Sequence, residues 1–257
     1  MASARLSWGE AHDQGPRPSD EDAWCLIPDF GGKRHTLFAA VFDGHGGAEA
    51  ARLAAYFLPR QLEALASGPA QDAEELRQAL IRAYEDTSAY LRNRTQSGTT
   101  AATVWVTPYG LWYAHVGDTR IVLVQRGEVK RLTRDHKVLD SQEFARLKAL
   151  GAQFWGPYVV LPDGRGLAVA RALGDPAFAR FVIPTPEVGF LRPPFEGMTL
   201  VIACDGLWDV LADEEAGAMA TQWDDPKQAA QALVGKALAR GTTDNVTVIV
   251  VRISDPP

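Results

Sequence analysis

Residues 99–132 read TTAATVWVTPYGLWYAHVGDTRIVLVQRGEVKRL and contain four apolar segments separated by very short connections. The segments are residues 99–107, 110–116, 120–125 and 128–132, and each connection between them holds two or three residues. A crossover between parallel strands needs about a dozen residues or more, whereas antiparallel strands are joined by two. The stretch therefore predicts four successive antiparallel strands in a meander.

Helical spacing of apolar residues predicts four helices outside this meander. Two are consecutive, at 47–65 and 72–94; a third follows the cap residue Asp140, and a fourth runs from Asp225 to Gly241. Further strands are expected at 23–27, 36–42, 166–170, 199–204 and 246–253. Because the helices come in pairs instead of after every strand, the pattern is typical of an α+β fold with antiparallel sheets covered by helices.

Length and composition restrict the class of protein. The chain has 257 residues, 46% of them hydrophobic and 23% charged, which are ordinary globular proportions and exclude disorder and collagen-like repeats. We expect a single domain over residues 1–257 with a small irregular insert at about 137–166. No apolar run reaches the roughly 20 residues of a membrane helix, and the N-terminus lacks the apolar core of a signal peptide. The expected protein is soluble and cytoplasmic, without a membrane partner.

Net charge and cysteine content restrict the expected binding partners and the expected state of the cysteines. The formal net charge is −6, and no run of Lys or Arg suggests nucleic-acid binding. Two cysteines, Cys25 and Cys204, have no spacing typical of a metal site and are expected to be free thiols, with a single disulfide as the alternative. Nothing in the sequence indicates an exposed apolar face, so we expect a monomer.

Acidic residues stand at the ends of five predicted strands. Asp43 and Asp205 directly follow apolar runs, and Asp118 follows another after Gly117. Glu21-Asp22 and Asp244-Asn245 directly precede two further apolar runs. In an antiparallel sheet the exit of one strand and the entry of its neighbour lie at the same edge, so these carboxylates are expected at one rim. Gathered carboxylates repel one another unless they are protonated or bind a metal, and hard oxygen ligands suit Mg²⁺ or Mn²⁺.

The alternative is that each Asp-Gly pair simply forms a turn. Independent turns do not account for five such sites together. Nor do they account for DGHGG at residues 43–47, where glycines surround both an acid and an imidazole. Two cations close together are a recurrent arrangement for phosphoester hydrolysis, and the pattern favours a site of this kind.

Taken in order, the motifs resemble those of a known family, the metal-dependent protein serine/threonine phosphatases of type 2C (PPM family). The matching segments are DQGPR at 13–17, DED at 20–22, VFDGHGG at 41–47, SGTTA at 97–101, VGDTR at 116–120, LTRDH at 132–136, RALGD at 171–175, CDGLWD at 204–209 and DNVT at 244–247. The resemblance covers about residues 13–252. It implies a four-layer α-β-β-α sandwich, in which two stacked antiparallel sheets are flanked by pairs of helices.

The resemblance also implies roles for individual residues. Asp43 would bridge two Mg²⁺ or Mn²⁺ ions; Glu21 and the carbonyl of Gly44 would bind one ion, and Asp205 and Asp244 the other. Asp118, with Asp205, matches a third, weaker metal site, while Asp22 and Asn245 would support the ligands from behind. Arg17 would bind the substrate phosphate and His45 would be the general acid, with a metal-bridging hydroxide attacking phosphorus in line.

The implied substrates are proteins that carry phosphoserine or phosphothreonine, and a cognate kinase or its targets are the expected binding partners. Two alternatives are an inactive relative that captures a partner and a hydrolase of small phosphoesters. Asp20 departs from the family's usual Asn, which adds charge but removes no implied ligand. The insert at 137–166 corresponds to the flap beside the active site in relatives. Asp175 and Asp209 are expected to serve turns or helix starts, and His136 a structural hydrogen bond.

Overall fold

Two five-stranded antiparallel sheets stack on each other in the computed structural model, which describes residues 5–66, 72–193, 195 and 197–254. The strands are β1 (Arg5–Asp13), β2 (Ala23–Pro28), β3 (Leu37–Phe42), β4 (Gly44–His45), β5 (Gly98–Thr99), β6 (Ala101–Thr107), β7 (Gly110–Val116), β8 (Arg120–Gln125), β9 (Glu128–Arg131), β10 (Gln153–Trp155), β11 (Tyr158–Val160), β12 (Gly166–Leu167), β13 (Leu173–Gly174), β14 (Glu187–Leu191), β15 (Met198–Ala203) and β16 (Val246–Ser254). The helices are α1 (Glu49–Leu65), α2 (Ala73–Arg92), α3 (Ser141–Ala149), α4 (Asp205–Trp208), α5 (Asp213–Ala220) and α6 (Pro226–Ala239).

The layers follow from the strand orders and from three apolar cores. One sheet has the order β14-β7-β6-β3-β2 and packs against α1 and α2; the other has the order β1-β16-β15-β8-β9 and packs against α5 and α6. A third core lies between the sheets, where β3, β6, β8, β15 and β16 contribute fully buried side chains. The predicted α-β-β-α sandwich is therefore confirmed.

The prediction of one continuous meander over residues 99–132 is wrong at its centre. β6 pairs with β7 and β8 pairs with β9 as expected, but β7 and β8 belong to different sheets. The connection turns a corner between stacked sheets, with Gly117 at φ 88° and no space for a Cβ beside Thr100. A short connection thus implies antiparallel pairing only where the chain stays in one sheet. The corner places Asp118 at the rim shared by both sheets.

Helix ends are set by the residues that the sequence indicates. Asp140 accepts hydrogen bonds from the backbone N–H groups of Gln142 and Glu143, and Asp225 caps α6 ahead of Pro226. Both caps were predicted. Asp72 forms a reciprocal capping box with Glu75 at the start of α2.

The insert at 137–166 is more regular than predicted. It contains α3 and a three-stranded antiparallel sheet, β10-β11-β12, over a small core that includes Val138, Leu147 and Val159. Its two ends are joined, because Lys137 forms an isolated antiparallel bridge with Val169. The unit thus extends three residues beyond the predicted insert, and we call residues 137–169 the flap. Across the residues with described structure, no helix is both long and apolar enough to cross a bilayer.

Candidate active site

One cleft at the rim of the stacked sheets brings the predicted site residues together. It encloses about 480 Å³. The predicted residues on its walls are Arg17, Glu21, Asp43, Gly44, His45, Asp118, Asp205, Asp244 and Asn245. The flap also lines the cleft, through Tyr158 and residues 166–169. Asp22 is not on the surface of the cleft but is buried beneath it.

Strand ends from both sheets deliver these side chains. Asp43 directly follows β3, and one residue separates Asp205 from the end of β15. Glu21 lies two positions before β2, and Asp244 two positions before β16. Antiparallel pairing of β2 with β3, and of β15 with β16, puts entry and exit at the same edge. The rim predicted from the sequence is thus formed by the edges of two sheets that lie side by side.

Close backbone packing holds Glu21 against the loop after β3. A Cβ on Gly44 would lie 2.3 Å from the backbone oxygen of Glu21, so this approach needs glycine. The backbone N–H of Gly47 donates to Glu21 Oε2 (3.0 Å). Asn245 accepts from the backbone N–H of Glu21 (3.0 Å) and donates to the carbonyl oxygens of Gln14 and Ser19. The amide of Asn245 therefore fixes the segment that carries Glu21.

The carboxylates of the cleft raise one another's pKa values. Burial, followed by the charge of Asp205, raises the pKa of Asp43 well above its ordinary value. Burial and Asp118 raise the pKa of Asp205 to about 8, and burial raises the pKa of Asp22 to about 6. Burial also raises the pKa of Asp118. A bound divalent cation would relieve this repulsion, and the oxygen donors suit Mg²⁺ or Mn²⁺, so the residues present fit a metal centre.

The potential ligand atoms of Asp22, Asp43 and Cys204 lie within 4.8 Å of one another. This trio is a poor cation site in itself. The Cys204 thiol is buried, its pKa is raised well above the ordinary value by burial, and hard cations prefer oxygen. Asp22 Oδ2 already accepts from Thr247 Oγ1 (2.6 Å) and from Cys204 Sγ (3.4 Å). Asp22 is therefore buried beside Asp43, with Thr247 and Cys204 as its hydrogen-bond partners. Both cysteines are free, as predicted.

Arg17 stands at the mouth of the cleft. Its Nη2 donates to Asp244 Oδ2 (2.5 Å) and its Nε to the carbonyl oxygen of Thr243 (3.0 Å). The side chain is 52% exposed, so one edge of the guanidinium faces solvent. Planar guanidinium groups bind phosphate oxygens with paired hydrogen bonds.

His45 has a partner that the sequence did not indicate. Its Nε2 lies 2.8 and 2.9 Å from the two carboxylate oxygens of Asp175, which is buried. Burial disfavours the protonated imidazole, but the charge and hydrogen bond of Asp175 outweigh it and raise the pKa of His45. Asp175 adopts a left-handed conformation with φ 52° at the start of a short 3₁₀ turn. Asp175 stands at a turn as predicted, but its side chain does not cap that turn and instead contacts His45.

A stacked pair of buried histidines supports the corner that carries Asp118. The ring centroids of His115 and His136 lie 4.4 Å apart. His136 also forms two hydrogen bonds with Gly117. The backbone N–H of His136 donates to the Gly117 carbonyl oxygen (2.9 Å), and the Gly117 N–H donates to His136 Nδ1 (3.3 Å). The structural hydrogen bond predicted for His136 is therefore made with the backbone of Gly117.

The same histidines and Glu187 also lie close enough together to suggest a metal site. Their hydrogen bonds argue against one. The lone pair of His136 Nδ1 faces a backbone N–H, so its Nε2 carries the proton, and Glu187 Oε1 already accepts from Arg134 Nη2 (2.6 Å). Burial and His136 lower the pKa of His115 to about 4, which keeps that ring neutral.

Comparisons with known proteins agree with this architecture. The family model described as Protein phosphatase 2C matches residues 8–246. Probable protein phosphatase 2C 69 of Arabidopsis thaliana is 36% identical over 97% of this chain and 71% of its own length. Protein phosphatase 2C homolog 1 of Saccharomyces cerevisiae is 34% identical over 91% of this chain and 88% of its own length.

Solved structures share the fold. Serine-threonine phosphatase 2C from Toxoplasma gondii superposes with a TM-score of 0.86 at 23% identity, covering 99% of this chain and 96% of that one. The PPM Ser-Thr phosphatase MsPP from Mycobacterium smegmatis, solved in complex with cacodylate, gives a TM-score of 0.68 at 27% identity, covering 99% and 100%.

The sandwich and the acidic cleft define a class of metal-dependent phosphoester hydrolases. Within that class the chain belongs to the protein phosphatase 2C family. It is a protein serine/threonine phosphatase, a hydrolase whose substrates are phosphoproteins, from a family that depends on metal ions.

Proposed function

We propose that this phosphatase hydrolyses phosphoserine and phosphothreonine with two Mg²⁺ or Mn²⁺ ions held between the strand ends. Asp43 would bind both ions, Glu21 and the carbonyl of Gly44 one of them, and Asp205 and Asp244 the other. The observation that carries the proposal is the single cleft on which all these groups and Arg17 and His45 converge. When bound, the cations would lower the pKa of water and so supply the nucleophile at neutral pH.

Arg17 would orient the phosphate. Its Nη2 lies 2.5 Å from Asp244 Oδ2, and because the side chain is 52% exposed, the remaining N–H groups of the guanidinium would meet a phosphate that enters the cleft. An acidic cleft by itself repels a phosphate dianion, so Arg17 supplies attraction from the protein. Two parallel hydrogen bonds would also fix the orientation of the phosphorus for in-line attack.

His45 would protonate the leaving group. The serine or threonine alkoxide is a strong base, so its departure needs a proton donor. Because Asp175 holds Nε2, the transferable proton would be on Nδ1, and loss of that proton leaves a neutral imidazole still hydrogen-bonded to Asp175. The raised pKa of His45 keeps this donor protonated to higher pH.

The assignment of Asp43 as the shared ligand is tested by equilibrium dialysis with Mn²⁺. We expect the wild-type protein to bind two ions tightly, D43N to lose both and D244N to lose one. Equal losses in the two variants would contradict the shared role of Asp43. Exposed Asp163, which pairs with Arg165 in the flap, provides the matched control D163N.

The substrate class is tested by comparing phosphothreonine and phosphoserine peptides with nucleoside triphosphates at equal concentration. Preference for the peptides supports the proposal, and preference for the nucleotides supports the alternative of a small-molecule phosphoesterase. The inactive-relative alternative predicts no turnover of either. We also propose a monomer in the cytoplasm, which two free thiols support, since such thiols persist in a reducing compartment.

A further inference from the structure

Lys137 places a positive charge beside Asp118, one of the carboxylates that line the acidic cleft. Its Nζ lies 3.3 Å from Asp118 Oδ2 and 3.7 Å from Asp209 Oδ1. The Asp118 side chain is only 7% exposed, whereas that of Asp209 is 63% exposed. The ammonium thus lies between the buried carboxylate of Asp118, whose charge it neutralises, and the solvated carboxylate of Asp209.

The backbone that carries Lys137 is held in place by hydrogen bonds at the base of the flap. The backbone of Lys137 pairs with Val169 across the base of the flap, and the Lys137 carbonyl oxygen accepts from the N–H of Asp140 (3.0 Å). Its neighbour Val138 donates to the carbonyl oxygen of Ala168 (2.8 Å). Because these backbone contacts hold the Cα of Lys137 in place, the ammonium can reach only a limited region. Asp118 and Asp209 both lie within that region.

This inference rests on the proposed function and on the third, weaker cation site that the sequence resemblance implies for Asp118 and Asp205. We propose that the Lys137 ammonium is a built-in cation that neutralises Asp118 while the third cation is absent, and thereby weakens binding of that cation. A divalent ion on Asp118 would lie about 2.1 Å from the same carboxylate, where it and the ammonium repel each other. Binding of the ion then requires Nζ to move away from Asp118 and remain beside Asp209.

Calorimetric titration of the chelator-treated, full-length chain with Mn²⁺ tests this competition. We expect two strong sites and one weak site in the wild-type protein, and a weak site tightened about tenfold in K137M, because a charge within about 4 Å is removed. K137R keeps the charge and is expected to match the wild type. K148M, which removes an exposed lysine from α3, is the matched control for net charge.

Asp118 provides the second arm of the test. In D118N the weak site is expected to be lost, and adding K137M to D118N should change nothing, because the two side chains act on the same site. A weak site that is equally weak in K137M and K148M would overturn the proposal, as would a titration without a third site in K137M. If K137M fails to fold, K137Q replaces it under the same expectations.

A separate role in substrate binding gives a different result. If Lys137 bound phosphate, K137M would raise KM for a phosphothreonine peptide and leave the Mn²⁺ isotherm unchanged, which would also overturn the proposal. Failure of the proposed function is distinguishable, because it appears as a wild-type protein that fails to hydrolyse the peptide with Mn²⁺. The isotherms are measured without substrate and do not depend on that turnover.

Discussion

The imidazole Nε2 of His45 lies 2.8 Å from the carboxylate of Asp175, a residue 130 positions later in the chain. β4 presents His45 beside β5, and β5 pairs in turn with β13, which ends just before Asp175. Three two-residue strands thus bring the pair together. The carboxylate orients the ring and favours its protonated form, and under the proposed function Nδ1 would face the substrate.

Replacing Asp175 by Asn should move the alkaline limb of the pH–rate profile to lower pH. Asp175 raises the pKa of His45, so its removal lowers that pKa, and the protonated acid is lost at a lower pH as the pH rises. We expect kcat on a phosphothreonine peptide to fall at alkaline pH by about tenfold and to fall less at acidic pH. An alkaline limb that stays where D163N has it would contradict this role.

Replacing His45 by Gln should reduce kcat more for a strongly basic leaving group than for a weakly basic one. For a phosphothreonine peptide the alkoxide needs a proton, and the expected loss is about 100-fold or more. For p-nitrophenyl phosphate the phenolate is a far weaker base, so the loss should be small. The ratio of the two losses is the measurement; equal losses on both substrates would indicate that His45 is not a proton donor.

Replacing Arg17 by Ala should raise KM for a phosphopeptide more than it lowers kcat. Charged hydrogen bonds of this kind contribute about 1.5–3 kcal/mol, equivalent to at least about tenfold in KM. R17K keeps the charge but not the planar pair of donors, and should recover only part of the loss. The exposed Arg77 on α2 offers the control R77A. A fall in kcat at unchanged KM would count against phosphate binding by Arg17.

Replacing Asp205 by Asn should stabilise the metal-free protein while abolishing its stabilisation by metal. Burial and Asp118 raise the pKa of Asp205 from 3.8 to about 8 in the folded state. A raised folded-state pKa means that stability is full below about pH 4 and is lost as the pH rises toward 8. In chelator at pH 8, D205N should therefore melt several degrees above the wild type, since 1 kcal/mol moves Tm by about 2–4 °C at this size.

Thermal melts with Mn²⁺ complete that comparison. The wild-type Tm should rise with Mn²⁺ concentration, because a ligand that binds the folded state stabilises it. The Tm of D205N should rise much less. A D205N protein that is less stable than the wild type in chelator at pH 8 would show that Asp205 makes favourable contacts without metal.

Much of the cleft could be predicted from the sequence because its carboxylates are tied to strand ends. Asp43 and Asp205 each follow an apolar run, and an antiparallel sheet converts that local pattern into a shared edge. Asp175 could not be found in this way, since its contact with His45 depends on pairing between very short strands far apart in the chain. Lys137 was missed for the same reason: its charge matters only because the flap base folds back against Asp118.

The fold could be predicted less completely at its edges. β1 lies at the edge of its sheet, and most of its residues are only half-buried, so its apolar pattern is weak. Its pairing with the buried β16 creates the strand. The connection at Gly117 is as short as that of a hairpin. Whether the chain forms a hairpin there or crosses to the other sheet depends on how the two sheets pack.

The most direct test of the central claim is hydrolysis of a phosphothreonine peptide by chelator-treated protein before and after addition of Mn²⁺ or Mg²⁺, with D43N alongside. We expect no turnover in chelator, turnover restored by either cation, and almost none in D43N at any cation concentration. Turnover that persists in excess chelator, or folded wild-type protein that remains inactive with both cations, would contradict it.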